Sequence, residues 1–312
     1  MTNERHCRQH GLLLLRKKTG VTSFDALKEV KQAFGTGKVG HTGTLDKFAS
    51  GLLLVLVGRA VKLAPLFSGY DKEYIATIRF GEETDTLDPE GTVIAQGRVP
   101  SRDEVEAVLP RFRGNILQAP PVYSAIHING QRAHELARDG KNPAMKERPI
   151  TIYKLEIHSW TPPEAVIQVK CSAGTYIRSL ARDIALAAGS RASLSVLTRT
   201  KVGAFDLENA AGEGNLVNNL RSLDRDLFRF LALPFFVLDD RAAEGFVHGR
   251  SLEDLLPSNF ETENYGATQG YDMNSSAAGV FRKTAGGDSD VLLGVLERRN
   301  NKWCYGHVFA NN

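Results

Sequence analysis

Apolar residues near the start of the chain form two continuous runs with an amphipathic segment between them. The runs Gly11–Leu15 and Leu52–Val57 favour buried strands, because nearly every position in them is apolar. Between the runs, apolar residues recur at helical spacing over Phe24–Phe34, and Thr22 or Ser23 can cap this helix at its N-terminus. The pattern therefore predicts a strand, a helix and a second strand.

Later segments continue this mixture of strands and helices. The glycine-rich stretch Gly35–Gly43 predicts a loop rather than a regular element, and Arg59–Phe67 has a helix-like pattern. Alternating apolar residues and turn signals predict a strand over Lys72–Phe80 ended by Gly81, followed by an acidic turn over Glu82–Gly91. A Ser101–Glu104 capping box predicts the start of a helix, and Ile150–Trp160 with Ala165–Cys171 predicts a hairpin. A helix is predicted over Thr175–Ala188 and a strand over Leu194–Phe205. Because strands and helices do not alternate strictly, we expect an α+β fold rather than a doubly wound sheet.

The last part of the chain has a different composition. Residues 258–290 are polar and rich in Gly, Ser, Asn and Thr, which predicts a long surface loop. Val291–Glu297 and Trp303–Phe309 are strand-like. We therefore place a boundary before Leu233, with a large domain over residues 1–232 and a small β-rich unit over residues 233–312.

Composition is that of a globular protein. The 312 residues are 42% hydrophobic and 24% charged, and a chain of this length allows about two domains. No apolar run approaches the ~20 residues that span a bilayer, and Met1–His10 has no apolar core of a secretion signal. The three cysteines are far apart and contain no CxxC pair. These features predict a cytoplasmic protein without a zinc site.

The charges are distributed unevenly along the chain. Residues 1–205 contain 29 Lys and Arg against 20 Asp and Glu, whereas residues 206–312 contain 10 against 16. A basic body of this kind favours a polyanionic partner such as nucleic acid, although solvated charges alone would give a similar count. The acidic final part is unfavourable for binding phosphates.

Gly35–Gly40 matches the G-x-G-x-x-G pattern of dinucleotide-binding proteins. That pattern requires a strand before it and a helix after it, whereas here a helix precedes it and more loop follows. It is not a phosphate-binding P-loop either, because Val39 follows Lys38 where Ser or Thr is required. A bound nucleotide cofactor is therefore excluded, and the stretch reads as a flexible loop leading to Asp46. By spacing alone Asp46 does not stand out from an ordinary solvated carboxylate.

Six sequence blocks occur together in one order, and together they are far more specific than any one of them. They are Lys18–Ser23; Val39–Asp46 with Ala49–Leu53 and Gly58–Leu63; Lys72–Tyr74; Pro120–Ala125 with Gly130 and Ala137–Arg138; Gly174–Asp183; and Leu197–Gly203. This series closely resembles the TruB family of tRNA pseudouridine-55 synthases. The resemblance covers roughly residues 11–205.

The resemblance implies a fold and a reaction. The expected fold is a mixed, mainly antiparallel sheet of the pseudouridine synthase type, followed by a small PUA-like domain that is only weakly matched. The expected reaction converts a uridine of the tRNA TΨC loop to pseudouridine after the nucleotide is flipped out of the stack. Asp46 is then the nucleophile or charge stabiliser, Arg178 its ion-pair partner, and Tyr74 the residue that stacks on the uracil and assists removal of the C5 proton.

The same resemblance implies which residues contact RNA and what the enzyme does not need. His41 is expected to help flip and hold the nucleotide, and further RNA contacts are expected from Gly43, Thr44 and Tyr176. Lys18 and Lys47 depart from the family and are expected to contact phosphates because of their own charge. No step transfers electrons or phosphate, so we expect neither a metal nor an organic cofactor. The expected partner is the T-arm of tRNA, with no membrane and no obligatory protein partner.

Two other functions remain open at this point. A tRNA-binding folding chaperone would keep the basic surface but would tolerate loss of Asp46. A guide-RNA-dependent pseudouridine synthase subunit would need partner proteins and a guide. The chain also departs from the family, which commonly has Pro at positions 18 and 47 and Lys and Tyr at positions 127 and 134, where this sequence has Lys18, Lys47, His127 and His134.

Overall fold

The computed structural model of the chain describes residues 10–128, 130–141, 143–212, 214–256, 276–283 and 290–309. The strands are β1 (Gly11–Lys17), β2 (Val39–His41), β3 (Ser50–Val57), β4 (Lys72–Phe80), β5 (Glu82–Thr84), β6 (Val93–Gln96), β7 (Gly114–Gln118), β8 (His127–Ile128), β9 (Gln131–Arg132), β10 (Arg148–Thr161), β11 (Glu164–Cys171), β12 (Ala192–Val202), β13 (Phe205–Asp206), β14 (Arg221–Ser222), β15 (Phe235–Leu238), β16 (Ala277–Arg282), β17 (Val291–Arg299) and β18 (Lys302–Val308). The α-helices are α1 (Ser23–Phe34), α2 (Ala64–Ser68), α3 (Arg102–Val108), α4 (Ala133–Arg138), α5 (Ile177–Ala187), α6 (Arg225–Phe230), α7 (Asp240–Val247) and α8 (Leu252–Leu255). Short 3₁₀ segments cover Gly58–Leu63, Leu109–Phe112, Leu207–Asn209 and Val217–Asn219.

One large sheet organises the first 222 residues. Its strand order is β14-β1-β3-β12-β4-β11-β10-β7, with β2 beside β3 and β13 beside β12. Its pairs are antiparallel except the contact of β3 with β12, which is parallel. The expected α+β class with a mixed, mainly antiparallel sheet is confirmed.

Several local predictions are confirmed because local rules determine them. The Thr22 side chain accepts a hydrogen bond from the Asp25 N–H and caps α1, and Ser101 and Glu104 form the expected capping box of α3. β4 coincides with the predicted segment, and Gly81 follows it with φ of +100°. The predicted hairpin is formed by β10 and β11.

Other predictions need correction. The stretch Gly35–Gly43 is not all loop, because Val39–His41 pairs with the end of β3 despite the surrounding glycines. The acidic segment Glu82–Gly91 begins with β5, which pairs with β6. The last helix of this region begins at Ile177 rather than Thr175, and the strand predicted over Leu194–Phe205 divides where Gly203 adopts φ of +54°.

The C-terminal region contains a separate four-stranded sheet in the order β15-β16-β17-β18. The predicted polar loop is partly wrong, since Ala277–Arg282 within it forms β16, a largely buried strand that pairs with β15 on one side and β17 on the other. The rest of residues 258–290, apart from 276, 283 and 290, lies outside the described residues. The boundary at residue 232 stays a prediction. In the described part of the chain, no helix is long and apolar enough to cross a membrane.

The parallel contact between β3 and β12 brings the loop before β3 close to β4, and Gly51 makes that contact possible. Gly51 pairs with Arg199, its φ is +115°, and an added Cβ would lie 2.3 Å from the Arg199 carbonyl oxygen. A side chain there would have to displace backbone in the middle of the sheet. Only glycine satisfies both the dihedral angle and the close approach.

We therefore expect Gly51→Ala to lower the free energy of unfolding by about 2–3 kcal/mol, since a strained backbone and a backbone clash combine. The urea midpoint followed by circular dichroism measures the change. Gly37→Ala is the matched control, because a Cβ at that loop glycine meets no atom within 4 Å. Equal midpoints for the two variants would contradict the argument.

Candidate active site

A cavity of about 290 Å³ opens where the loop between β2 and β3, the beginning of β4 and the beginning of α5 meet. The volume is close to about 300 Å³, the lower end of the range for sites that bind small molecules. Six predicted site residues line it: Gly43, Thr44, Asp46, Tyr74, Tyr176 and Arg178. His41, Lys18 and Lys47 are not in its wall. The fold thus brings together residues that are up to 135 positions apart in sequence.

Asp46 and Arg178 form an ion pair in this wall. The Arg178 Nη2 atom donates a hydrogen bond to Asp46 Oδ1 at 3.0 Å, and Nε lies 2.9 Å from Oδ2. The guanidinium also donates to the Thr86 carbonyl at 2.7 Å and the Tyr123 carbonyl at 3.0 Å. The Arg178 side chain is 6% exposed, so water contributes little to its solvation. Its position is set by the protein on several sides.

A second carboxylate on Arg178 was not predicted from the sequence. Asp88 is buried, and its Oδ2 lies 3.2 Å from Arg178 Nη1. Its other oxygen accepts from the Thr86 hydroxyl at 2.6 Å and the Glu90 N–H at 3.0 Å. The available signal was the Asp-Pro turn in the acidic segment, which indicates an ordered turn but not its partner. Arg178 is thus held between two carboxylates.

The environment of Asp46 acts on its pKa in opposite directions. Removal from water raises the pKa of the Asp46 carboxyl, and the Arg178 charge opposes that rise. Asp88 raises the pKa further through like-charge repulsion, whereas Lys17 lowers it. The side chain remains 35% exposed towards the cavity. The net shift of the pKa is upward, so Arg178 offsets burial only in part, and the carboxyl is accessible to a bound molecule.

Tyr74 forms another part of the wall from strand β4. It is 8% exposed, and burial raises the pKa of its hydroxyl, with the charge of Arg199 partly offsetting the rise. The phenol is therefore neutral near neutral pH. A neutral ring on a strand offers an apolar face to a flat ligand.

Tyr176 is fixed by its backbone just before α5. Its N–H donates to Gln118 Oε1 at 2.9 Å, and its carbonyl accepts from Gln118 Nε2 at 3.1 Å. Burial raises the pKa of the Tyr176 hydroxyl. This two-point contact fixes the approach to the first turn of α5, where Arg178 lies.

His41 lies in β2, behind the loop that carries Asp46. It is half-buried, and its Nδ1 atom has no hydrogen-bond partner among the described residues. Burial, with a smaller effect of Arg199, lowers its pKa, so the imidazole is neutral near neutral pH. The structure places it near the site but outside the cavity wall.

Two buried cations that sequence analysis did not single out order the Asp46 loop. Lys17 Nζ donates to the Val21 and Ala49 carbonyls, each at 2.6 Å, and so ties the end of β1 to residues on either side. Arg199 on β12 donates to the Leu52 carbonyl at 2.8 Å and, at 3.1 Å, to Gly43. Neither contact has a local sequence signature, because each depends on strand order.

The two predicted lysine contacts differ from these buried cations. Lys18 and Lys47 have exposed side chains, and Lys47 pairs with Glu90 at 3.0 Å. His127 is exposed on β8, and the side chain of His134 lies outside the described residues. Across the described residues, no group of three or more His, Cys, Asp or Glu is placed to hold a metal ion.

The fold is similar to that of solved proteins. The protein in "Crystal Structure of a Cbf5-Nop10-Gar1 Complex" matches with a TM-score of 0.62 over 96% of this chain and 84% of the other, at 20% identity. The protein in "Structure of H/ACA RNP bound to a substrate RNA containing 2'-deoxyuridine" matches with a TM-score of 0.62 over all of this chain and 88% of the other. At 20% identity these likenesses show the fold alone.

Sequence relatives show the family. Residues 31–177 match the model described as "TruB family pseudouridylate synthase (N terminal domain)". The tRNA pseudouridine synthase B of Francisella philomiragia is 46% identical over 91% of this chain and 97% of its own. The protein of the same name from Treponema denticola is 44% identical over 77% of this chain and 71% of its own. The chain belongs to the TruB family of pseudouridylate synthases.

The buried contacts of Asp88 give a prediction for stability. An asparagine amide at this position would turn an N–H donor towards the guanidinium or lose one of the three hydrogen bonds. We expect Asp88→Asn to lower the free energy of unfolding by about 1–3 kcal/mol. Urea unfolding measures it, and Asp103→Asn, an exposed carboxylate on α3, is the control. A loss no larger than the control's would show that Asp88 does not hold Arg178.

Proposed function

We propose that this protein isomerises uridine 55 in the TΨC loop of tRNA to pseudouridine, as a stand-alone cytoplasmic enzyme. The observation that carries the proposal is the Asp46–Arg178 ion pair in the wall of a cavity that Tyr74 also lines. The relatives named tRNA pseudouridine synthase B support tRNA as the substrate. The position within tRNA rests on the motif resemblance.

Access to this cavity requires that the target nucleotide leave the RNA stack. The basic first 205 residues favour binding of the RNA backbone, and the exposed Lys18 and Lys47 flank the loop that carries Asp46. Gly43, Thr44 and Tyr176 line the cavity together with Arg178, so all three are proposed to contact the bound nucleotide. His41, which pairs with Val55 at the end of β2, is proposed to hold the flipped nucleotide.

The reaction exchanges one glycosidic bond for another. The N1–C1′ bond breaks with its electron pair on N1, the uracil turns, C5 bonds to C1′, and the C5 proton leaves. Asp46 either bonds to C1′ and leaves as C5 attacks, or accepts the C2′ proton to give a glycal and returns it to C2′ as C5 bonds to C1′. Both roles begin from a carboxylate. Arg178 favours that ionised form, because a buried guanidinium keeps its charge.

Tyr74 is proposed to stack on the uracil. Its raised pKa leaves little phenolate near neutral pH, which favours stacking over direct proton abstraction. A water held beside the ring, or Asp46 after it is released, can then take the C5 proton. None of these steps calls for a metal or an organic cofactor.

The test uses an unmodified tRNA transcript labelled with tritium at C5 of uridine. We expect the purified protein alone to release tritium from position 55 over many turnovers. Asp46→Asn should release none above background, because the amide neither attacks C1′ nor accepts a proton at neutral pH. Asp103→Asn should behave like the parent.

Three other outcomes would contradict the proposal in different ways. Tight tRNA binding without release by the parent would favour the chaperone or the guide-dependent subunit. Release by Asp46→Asn at the parent's rate would mean that the site is elsewhere. Release mapped to another uridine would refute only the position.

A further inference from the structure

Lys72 is a buried lysine in the cavity wall to which no role has yet been assigned. It is the first residue of β4, two positions before Tyr74, so both side chains lie on the same face of the strand. It is 8% exposed, and its ammonium donates to the Ser68 carbonyl at 2.8 Å. Among the described residues, no carboxylate lies within 4.0 Å of it, and Ser68 alone accepts from its three N–H groups.

Arg199 adds a second buried positive charge to the same part of the wall. Its backbone pairs with Tyr74 across β12 and β4, and its side chain is 2% exposed. Its guanidinium donates to main-chain carbonyls, so within the described residues it too lacks a carboxylate partner. Two desolvated cations therefore lie beside Tyr74, and among the described residues neither has a carboxylate in contact with it.

The part of the cavity wall around Arg178 has the opposite balance of charge. There, Arg178 is neutralised by both Asp46 and Asp88. Burying a cation without a counterion is costly, so an uncompensated pair in a ligand cavity indicates that the ligand supplies the negative charge. Within one cavity wall, Arg178 thus contacts two carboxylates, whereas Lys72 and Arg199 contact none among the described residues.

We propose that Lys72, supported by Arg199, stabilises the negative charge that the uracil ring acquires when the N1–C1′ bond breaks. This inference rests on the proposed function. The electron pair of the broken bond stays on N1 and is delocalised onto the carbonyl oxygens O2 and O4, while C1′ is captured by Asp46 or loses its C2′ proton. The negative charge thus appears on the uracil ring that Tyr74 is proposed to stack against, next to Lys72 and Arg199. Preorganised charges at such a position act mainly on the transition state.

A phosphate of the RNA backbone is the other anion that these cations could bind. A phosphate is negative before, during and after the reaction, so it would contribute equally to the ground state and the transition state. A uracil anion exists only after bond cleavage begins. Loss of a phosphate contact would therefore weaken tRNA affinity, whereas loss of a contact to the uracil anion would lower the rate of the chemical step.

The surroundings of Lys72 also predict a pH dependence. Burial, reinforced by Arg199 from β12, lowers the pKa of its ammonium to about 8, while Cys171 from β11 and the adjacent Asp71 act in the opposite direction. Tyr153 from β10 interacts with Asp71. Lys72 is charged below about pH 8 and loses its charge as the pH rises through that value. An arginine at this position would stay charged throughout.

The experiment compares Lys72→Met and Lys72→Arg with the parent in single-turnover tritium release at saturating enzyme, and measures tRNA affinity by filter binding. We expect Lys72→Met to lower the rate by about 10²-fold, with the dissociation constant within about twofold of the parent's. Lys72→Arg should retain most of the rate at pH 7. It should also lose less rate between pH 7 and 9 than the parent does.

The matched control is Lys302→Met, which removes an equal charge from an exposed position on β18 and should match the parent. Weaker tRNA binding by Lys72→Met with an unchanged saturated rate would assign the cations to a phosphate and overturn the inference. An unchanged Lys72→Met, or a Lys72→Arg variant as slow as Lys72→Met, would also overturn it. If Lys72→Met does not fold, equal pH profiles for the parent and Lys72→Arg would overturn it. In all these cases, an active parent leaves the proposed function intact.

Discussion

A guanidinium removed from water is stable only when its N–H groups find acceptors and its charge finds a carboxylate. Arg178 meets both conditions by recruiting the loop that carries Asp46, the turn that carries Thr86 and Asp88, and the backbone of Tyr123. These segments come from separate parts of the chain, and the Lys47–Glu90 ion pair and the Tyr123–Asp85 hydrogen bond also join them. Satisfying this one side chain therefore fixes much of the cavity.

The arrangement also explains how a carboxylate can remain reactive in a partly closed site. Burial raises the pKa of the Asp46 carboxyl, and full exposure would surround this proposed nucleophile with competing water. The Arg178 guanidinium opposes the rise in the pKa of Asp46 without cancelling it, and Asp88 holds that guanidinium through a second ion pair. Asp88 also raises the pKa of Asp46, so the residue that orients the arginine also acts on the carboxyl that is proposed to react.

Local structure could be predicted where neighbouring residues determine it. The Thr22 cap, the capping box of α3 and the end of β4 at Gly81 each depend on a few adjacent positions, and each is found. The short strand β2 was missed because its formation depends on pairing with β3, which outweighs the influence of the surrounding glycines. Asp46 was singled out by the family resemblance and not by its spacing. Nothing in its immediate sequence reports the arginine 132 positions away.

The buried groups around the site were beyond prediction for the same reason. Arg199 reaches the Asp46 loop only because β12 lies parallel to β3 and beside it. Lys72 lies near Arg199 only because β4 pairs with the other edge of β12. A buried lysine and a surface lysine look alike in the sequence. Strand order distinguishes them, and strand order is a property of the whole sheet.

The two positions where this chain has lysine in place of the family's usual proline show how the loop tolerates such changes. Lys18 and Lys47 have exposed side chains, and the interactions that matter at both positions use the main chain. The carbonyl of Lys18 accepts from Lys17 Nζ at 3.0 Å, and the carbonyl of Lys47 accepts from the Gly20 N–H at 2.8 Å. Proline also provides a carbonyl acceptor and lacks only the N–H donor, so the exchange preserves the contacts that hold the loop. Lys18 also adds an exposed positive charge beside the loop, whereas the charge of Lys47 is paired with Glu90 at 3.0 Å.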